Sequence, residues 1–150
     1  MKKFIVFFIF VIILNTTVQA SDNKEKSTPK VDALGSVLID AQTGRVLWGK
    51  NENKELAMAS TTKIMTAIIA LENGNLDDTV KISSRAIRAP ETKMHLSLDE
   101  EIKLEYLLYG LMMQSYNDTA IAIAEHVFGS VEKFCDVMTK KAKEIGAEHT

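Results

Sequence analysis

The sequence predicts an α+β fold, and three observations carry that prediction. Two β-rich runs, Leu34 to Asp40 and Arg45 to Trp48, flank the turn Ala41-Gln42-Thr43-Gly44, and a glycine turn between such runs signals a hairpin. Directly after them, Ile64 to Leu71 reads as a helix that is apolar on almost every side. From Leu104 onward the period is again helical, and strands and helices never alternate in regular βαβ order.

Residues 1–20 read as a signal peptide rather than as part of the fold. Lys2 and Lys3 give a positive start, Phe4 to Leu14 is an unbroken apolar run, and Val18-Gln19-Ala20 offers small residues for cleavage. At about 1.5 Å of rise per residue that run is too short to span a bilayer core of about 30 Å. The competing reading is an uncleaved N-terminal anchor. Residues 21–32 are polar, include SDNKEKSTPK, and read as a linker. The protein is therefore expected to be exported and to work in the cell envelope or periplasm.

Residues 33–150 carry the folded part. The apolar helix after the hairpin should lie in the centre of a core and stop at Asn73-Gly74. Thr79 to Ser83 alternates, with Val80 and Ile82 on one face, and Met94, Leu96 and Leu98 alternate in the same way, so both stretches read as strands. Leu104, Leu107, Leu108, Leu111 and Met112 predict a helix. A polar break, Ser115 to Asp118, precedes a second helix over Thr119 to Phe128. The last helix is amphipathic, on Val131, Phe134, Cys135, Met138, Ala142 and Ile145. Cys135 is the single cysteine, so no internal disulfide forms, and its position on that face predicts a small buried hydrophobe. The net charge of −2 gives no support for a nucleic-acid partner.

The lysine that opens the apolar helix calls for an explanation. In ASTTKIMTAIIALE, Lys63 lies three residues after Ser60, so the two side chains share a helix face. A serine at a helix N-terminus has unpaired N–H groups and the positive dipole end beside it, where a developing oxyanion is stabilised. Partial desolvation favours the neutral amine and lets a lysine act as a base. Ser60 then becomes a nucleophile and Lys63 its general base. The plainer alternative is a capping serine and a snorkelling lysine. Spacing alone does not decide, because Ser21/Lys24, Ser27/Lys30 and Ser130/Lys133 show it too. Only Ser60 opens a helix that reads as wholly buried.

S-x-x-K accompanies S-D-N and K-T-G in class A β-lactamases and penicillin-binding proteins. The literal Ser21-Asp22-Asn23 lies in the polar arm and precedes the nucleophile, so it is rejected. Ser115-Tyr116-Asn117, between two helices, is the better S-x-N candidate. Ser115 and Asp118 also match the S-x-x-[DE] capping signature, which stands as the alternative.

The stretches VLIDAQTGRVLWGKN, MASTTKIMTAIIALE, LLYGLMMQSYNDTAIAIAEHVFGS and FCDVMTKKAKEIGAEHT resemble the serine-type D-alanyl-D-alanine carboxypeptidases, the low-molecular-mass penicillin-binding proteins, from about Ala33 to Thr150. The resemblance implies a β-lactamase/transpeptidase-like fold, an antiparallel sheet with a helical subdomain. It implies acyl transfer on peptidoglycan stem peptides ending in D-Ala-D-Ala, with β-lactams as covalent inhibitors. Ser60 would be the nucleophile and supply one oxyanion N–H, Lys63 the general base, and Ser115 a proton relay. Asn117 would hold Lys63 and the substrate amide. No metal or cofactor is implied.

Three departures stand out. Tyr116 and Asp99 occupy positions where the family carries glycine, which crowds the S-x-N loop and asks Asp99 to adopt a left-handed turn. No K-T-G occurs in the 150 residues, so the chain reads as the N-terminal part of such a domain, with any membrane association left to a C-terminal region beyond it. A class A-like β-lactamase and a non-catalytic remnant of the same fold are the alternatives. Tyr116 in place of aspartate, and the LLYGLMMQS wording, favour the carboxypeptidase over the β-lactamase.

Overall fold

The computed structural model describes residues 29–147 and 149–150. Residues 1–20, read above as a signal peptide, and most of the stretch 21–32, read as a linker, lie outside the described residues. The chain divides into two compact units, at Glu52 and Asn53.

In the first unit, strands β1 (Ser36–Ile39) and β2 (Val46–Lys50) pair antiparallel, Leu38 opposite Trp48, with a register irregularity between Leu38 and Ile39. The turn works as its composition requires. Asp40 Oδ1 accepts from the Thr43 N–H at 2.8 Å and from its hydroxyl at 2.7 Å. The Gly44 N–H closes onto the Asp40 carbonyl at 2.8 Å, with Gly44 at φ +70°, a conformation that glycine adopts without steric cost.

The second unit holds four helices and a small sheet. A 3₁₀ turn, Ala59–Thr61, leads into α1 (Thr62–Asn73). Strand β3 (Thr79–Lys81) pairs antiparallel with β4 (Glu101–Lys103), and a 3₁₀ turn at Ala86–Arg88 lies between them. Then follow α2 (Leu104–Gln114), α3 (Asn117–Phe128) and α4 (Val131–Glu144). The core is built from Ile69 and Ala70 of α1, Val80 and Ile82, Leu104, Leu107 and Leu111 of α2, Ile123 of α3 and Phe134 of α4. Phe128 and Phe134 meet edge to face at 5.8 Å. Helices beside an antiparallel sheet agree with the α+β expectation.

Four expectations change. Helix α1 is not buried all round: Ile64 is 53% and Leu71 58% exposed, while Thr66, its one polar interior position, is buried. Cys135 is exposed rather than buried. The inward face of α4 runs through Phe134 and Ala142, with Met138 half-buried between them, and a residue one step from Phe134 is turned about 100° away from it. The Met94-Leu96-Leu98 alternation is not a strand. His95 has φ +63°, which breaks the pleat, and the strand forms later, at Glu101–Lys103. Ser115 is not an N-cap, since it sits left-handed at the end of α2 with φ +60°. The cap reading suits Ser130 instead, whose Oγ accepts from the Lys133 N–H at 3.3 Å.

Asp99 and Tyr116, where the resemblance leads one to expect glycine, are both accommodated. Asp99 takes the left-handed conformation at φ +59° and its carboxylate pairs with Lys81 at 3.0 Å. Tyr116 has φ −64° and ψ 136°, open to any residue. Its ring lies over Gly110, where a Cβ would come within 3.2 Å of Tyr116 Cδ2. Glycine inside α2 therefore makes room for the tyrosine that crowds the loop.

Two predictions follow from these contacts. Gly74 has φ −102°, so conformation alone permits alanine. A Cβ there would lie 2.8 Å from Leu104 Cδ2 and 2.9 Å from the Ala70 carbonyl. Gly74→Ala is expected to destabilise by about 1–3 kcal/mol, read from urea denaturation, and a neutral result would contradict the packing. The exposed Asp40 carboxyl is held below its usual value, first by the Thr43 hydroxyl and then by the Thr43 N–H. Its contribution to the hairpin is therefore present above the ordinary aspartate pKa and is lost as pH falls through the lowered one. An NMR titration should show the Asp40 midpoint and the loss of the Thr43 amide shift together in that acid range.

Candidate active site

The start of α1 is shaped by its backbone. Ala59, the first residue of the 3₁₀ turn that carries Ser60, has φ +48°, an unfavourable conformation for a residue with a Cβ. The turn is held by Thr61, whose N–H and hydroxyl both donate to the Met58 carbonyl, at 3.2 Å and 2.6 Å. Ser60 is exposed and caps nothing through its side chain. That leaves its hydroxyl at the surface just ahead of the helix, where a nucleophile is reachable.

Lys63, half-buried in the first turn of α1, donates from Nζ to Asn117 Oδ1 at 2.8 Å. Asn117 opens α3, and its side chain is used at both ends. While Oδ1 accepts from Lys63, Nδ2 donates to the carbonyls of Pro90 at 3.1 Å and Glu91 at 2.9 Å. The Asn117 backbone N–H donates to the Thr92 carbonyl at 2.7 Å. With Nδ2 committed to two carbonyls, the amide oxygen must face the lysine, which sets the orientation of the carboxamide.

Ser60, Lys63 and Ser115 line one open cleft of about 270 Å³, together with Thr61, Ile64, Leu111 and Met112. Ser115 comes to it from the left-handed residue that ends α2, a position that turns the chain sharply into α3. The hydroxyls of Ser60 and Ser115 and the Lys63 amine thus line the same cleft beside Ile64 of α1 and Leu111 and Met112 of α2, while the Thr61 hydroxyl is engaged with the Met58 carbonyl. A hydroxyl nucleophile, an amine held by an amide and a second hydroxyl form a set able to move a proton on and off an attacking oxygen. Among the described residues no cluster of histidine, cysteine and carboxylate side chains has the makings of a metal site.

All four residues singled out in the sequence therefore gather at one place: Ser60, Lys63 and Ser115 on the cleft, Asn117 through its bond to Lys63. Asp118 was read only as a possible capping partner. It is instead fully buried, and its carboxyl group accepts the N–H groups of Met94 at 3.0 Å, Leu96 at 3.3 Å and Thr119 at 2.9 Å. The available signal was its adjacency to Asn117 at a helix start, which by itself looks like ordinary dipole compensation.

A family model described as D-alanyl-D-alanine carboxypeptidase matches residues 22–150. Among curated relatives, D-alanyl-D-alanine carboxypeptidase DacF of Bacillus subtilis is 40% identical over 134 residues, covering 86% of this chain and 34% of that protein. Among solved structures, the D-alanyl-D-alanine carboxypeptidase DacD from Francisella tularensis superposes with a TM-score of 0.77 at 34% identity, over 83% of this chain and 31% of the other. Penicillin binding protein 5 from Haemophilus influenzae gives 0.73 at 29% identity, over 80% and 37%. The chain spans about a third of the length of these relatives.

Proposed function

The chain belongs to the D-alanyl-D-alanine carboxypeptidase family, and we propose that it carries the nucleophile side of an acyl-transfer site for peptidoglycan stem peptides ending in D-Ala-D-Ala. The observation that supports this most is the 2.8 Å bond between Lys63 Nζ and Asn117 Oδ1 beside a cleft lined by both Ser60 and Ser115. Ser60 Oγ attacks the carbonyl carbon of the penultimate D-alanine as Lys63 takes the hydroxyl proton. The C–N bond then breaks, the terminal D-alanine leaves with a proton relayed through Ser115, and Ser60 holds the acyl group until water releases it. Asn117 keeps Lys63 directed at the cleft, and the second lone pair of its Oδ1 is left to accept a substrate amide N–H. A β-lactam presents the same carbonyl and acylates the same oxygen. The reaction draws on no metal or cofactor in this reading.

The reading predicts that a fluorescent penicillin labels Ser60. Labelling is to be measured on the chain and on a chimera continued with the C-terminal part of the Bacillus subtilis relative. In the chimera Ser60→Ala should abolish the label, and Lys63→Ala should slow it by about 10²–10⁴-fold, the usual loss of general-base help. The 150 residues contain no K-T-G, the motif that the resemblance links to the second oxyanion donor. The chain alone should therefore label about 10²–10³-fold more slowly than the chimera, the usual cost of one missing donor. Undiminished labelling of the Ser60→Ala chimera would sink the assignment.

We also infer export to the cell envelope, from the basic start, the short apolar run and the small residues before Ser21. N-terminal sequencing of the secreted chain should begin at Ser21. An N-terminus still at Met1 in a membrane fraction would instead support the uncleaved anchor.

A further inference from the structure

Residues 93–98 run between the two strands of the small sheet without joining it, so the N–H groups of Met94 and Leu96 have no ladder partner. A buried or half-buried N–H left alone is costly, and here both are met by a side chain from α3. Asp118 Oδ1 accepts from Met94 at 3.0 Å and Oδ2 from Leu96 at 3.3 Å, with the whole residue buried. The residue before it, Asn117, grips the same segment a few residues upstream, through the carbonyls of Pro90, Glu91 and Thr92. Two consecutive residues at the start of one helix thus tie Pro90, Glu91, Thr92, Met94 and Leu96 to it.

We propose that Asp118 is a positioning residue of the acyl-transfer site, acting on Lys63 through the Pro90–Leu96 segment and the Asn117 carboxamide. The inference rests on the reading of Ser60 and Lys63 given above. The chain of dependence is short. Asn117 can turn its oxygen to Lys63 only while the carbonyls of Pro90 and Glu91 hold its amide nitrogen. No sheet partner holds those carbonyls in place. Asp118 fixes the segment just downstream, at Met94 and Leu96, on either side of the left-handed His95. Without that anchor the Met94–Leu96 end of the segment comes away from α3, only the Asn117–Thr92 backbone bond is left to hold the segment beside the carboxamide, and Lys63 loses a firmly fixed acceptor.

The test compares Asp118→Ala, Asp118→Asn, Asn117→Ala and the Asp118→Ala/Asn117→Ala pair in the 150-residue chain and in the chimera. The first readout is the Asn117 side-chain amide in the NMR spectrum of the chain, followed by hydrogen exchange. Asp118→Ala should bring its protons to the shifts of a free carboxamide and speed their exchange by about ten- to a hundredfold, the range for losing a hydrogen bond to a carboxylate. The amides of the α2 and α4 cores should keep their protection. Asp118→Asn retains a single carbonyl acceptor and should fall between, and it decides the question if the alanine variant does not fold. The second readout is the penicillin-labelling rate of the chimera. Asp118→Ala and Asn117→Ala should each slow it, and the pair should be no slower than Asn117→Ala alone, since both act along one path. An unchanged Asn117 amide in both Asp118 variants, or single effects that multiply in the pair, overturns the proposal. If the parent chimera takes no label at Ser60, the acyl-transfer reading fails, while the amide spectrum still decides whether Asp118 orients Asn117.

Discussion

A lysine in the first turn of an apolar helix needs an acceptor, because an amine that loses water and gains no partner is costly to bury. Asn117 Oδ1, 2.8 Å from Lys63 Nζ, is that acceptor, and it belongs to a different helix. Much of the site follows from the bond. It links the start of α1 to the start of α3, and the sharp turn at Ser115 between α2 and α3 brings the second hydroxyl to the cleft that Ser60 and Lys63 share. The backbone departs from ordinary conformations at both hydroxyls' approaches, at Ala59 and at Ser115, and such departures persist only where surrounding contacts enforce them.

Packing around the S-x-N loop shows how a bulky substitution is absorbed. Tyr116 needs no unusual φ, so its cost is one of space, and the space comes from Gly110 in the helix before it. Met94 Sδ and Thr119 Cγ2 close on the same glycine, each 3.3 Å from where a Cβ would stand. Glycine inside a helix gives up about 1 kcal/mol relative to alanine. Here the loss is offset by close approach of three side chains that also border the buried Asp118 network.

The apolar exposure on α1 has a direct bearing on how the protein behaves. Ile64 and Leu71 are both half exposed, and Tyr106, Tyr109 and Met113 lie open along α2. Apolar side chains exposed singly are ordinary on a protein surface, and only a contiguous patch of them marks a face that another surface covers. The relatives that share this fold are about three times as long as the stretch matched here.

Local pattern was enough to determine the hairpin and its Asp40–Gly44 turn, the four helices of the second unit and their order, and the candidates Ser60, Lys63, Ser115 and Asn117. Turn chemistry, helical period and the S-x-x-K and S-x-N spacings are properties of neighbours in the chain, and neighbours are what a sequence displays. Which of several possible partners a polar group takes is different, because it depends on residues far apart in sequence. Lys63 finds Asn117 across 54 positions, and Asp118 satisfies Met94 and Leu96 in place of a strand that their alternation had suggested. Likewise, α1 looked fully buried and Cys135 inward, because a pattern reports which faces are apolar and not which neighbours exist to cover them. Only the tertiary structure decided those points, since burial and hydrogen-bond pairing are set by the whole arrangement of elements in space.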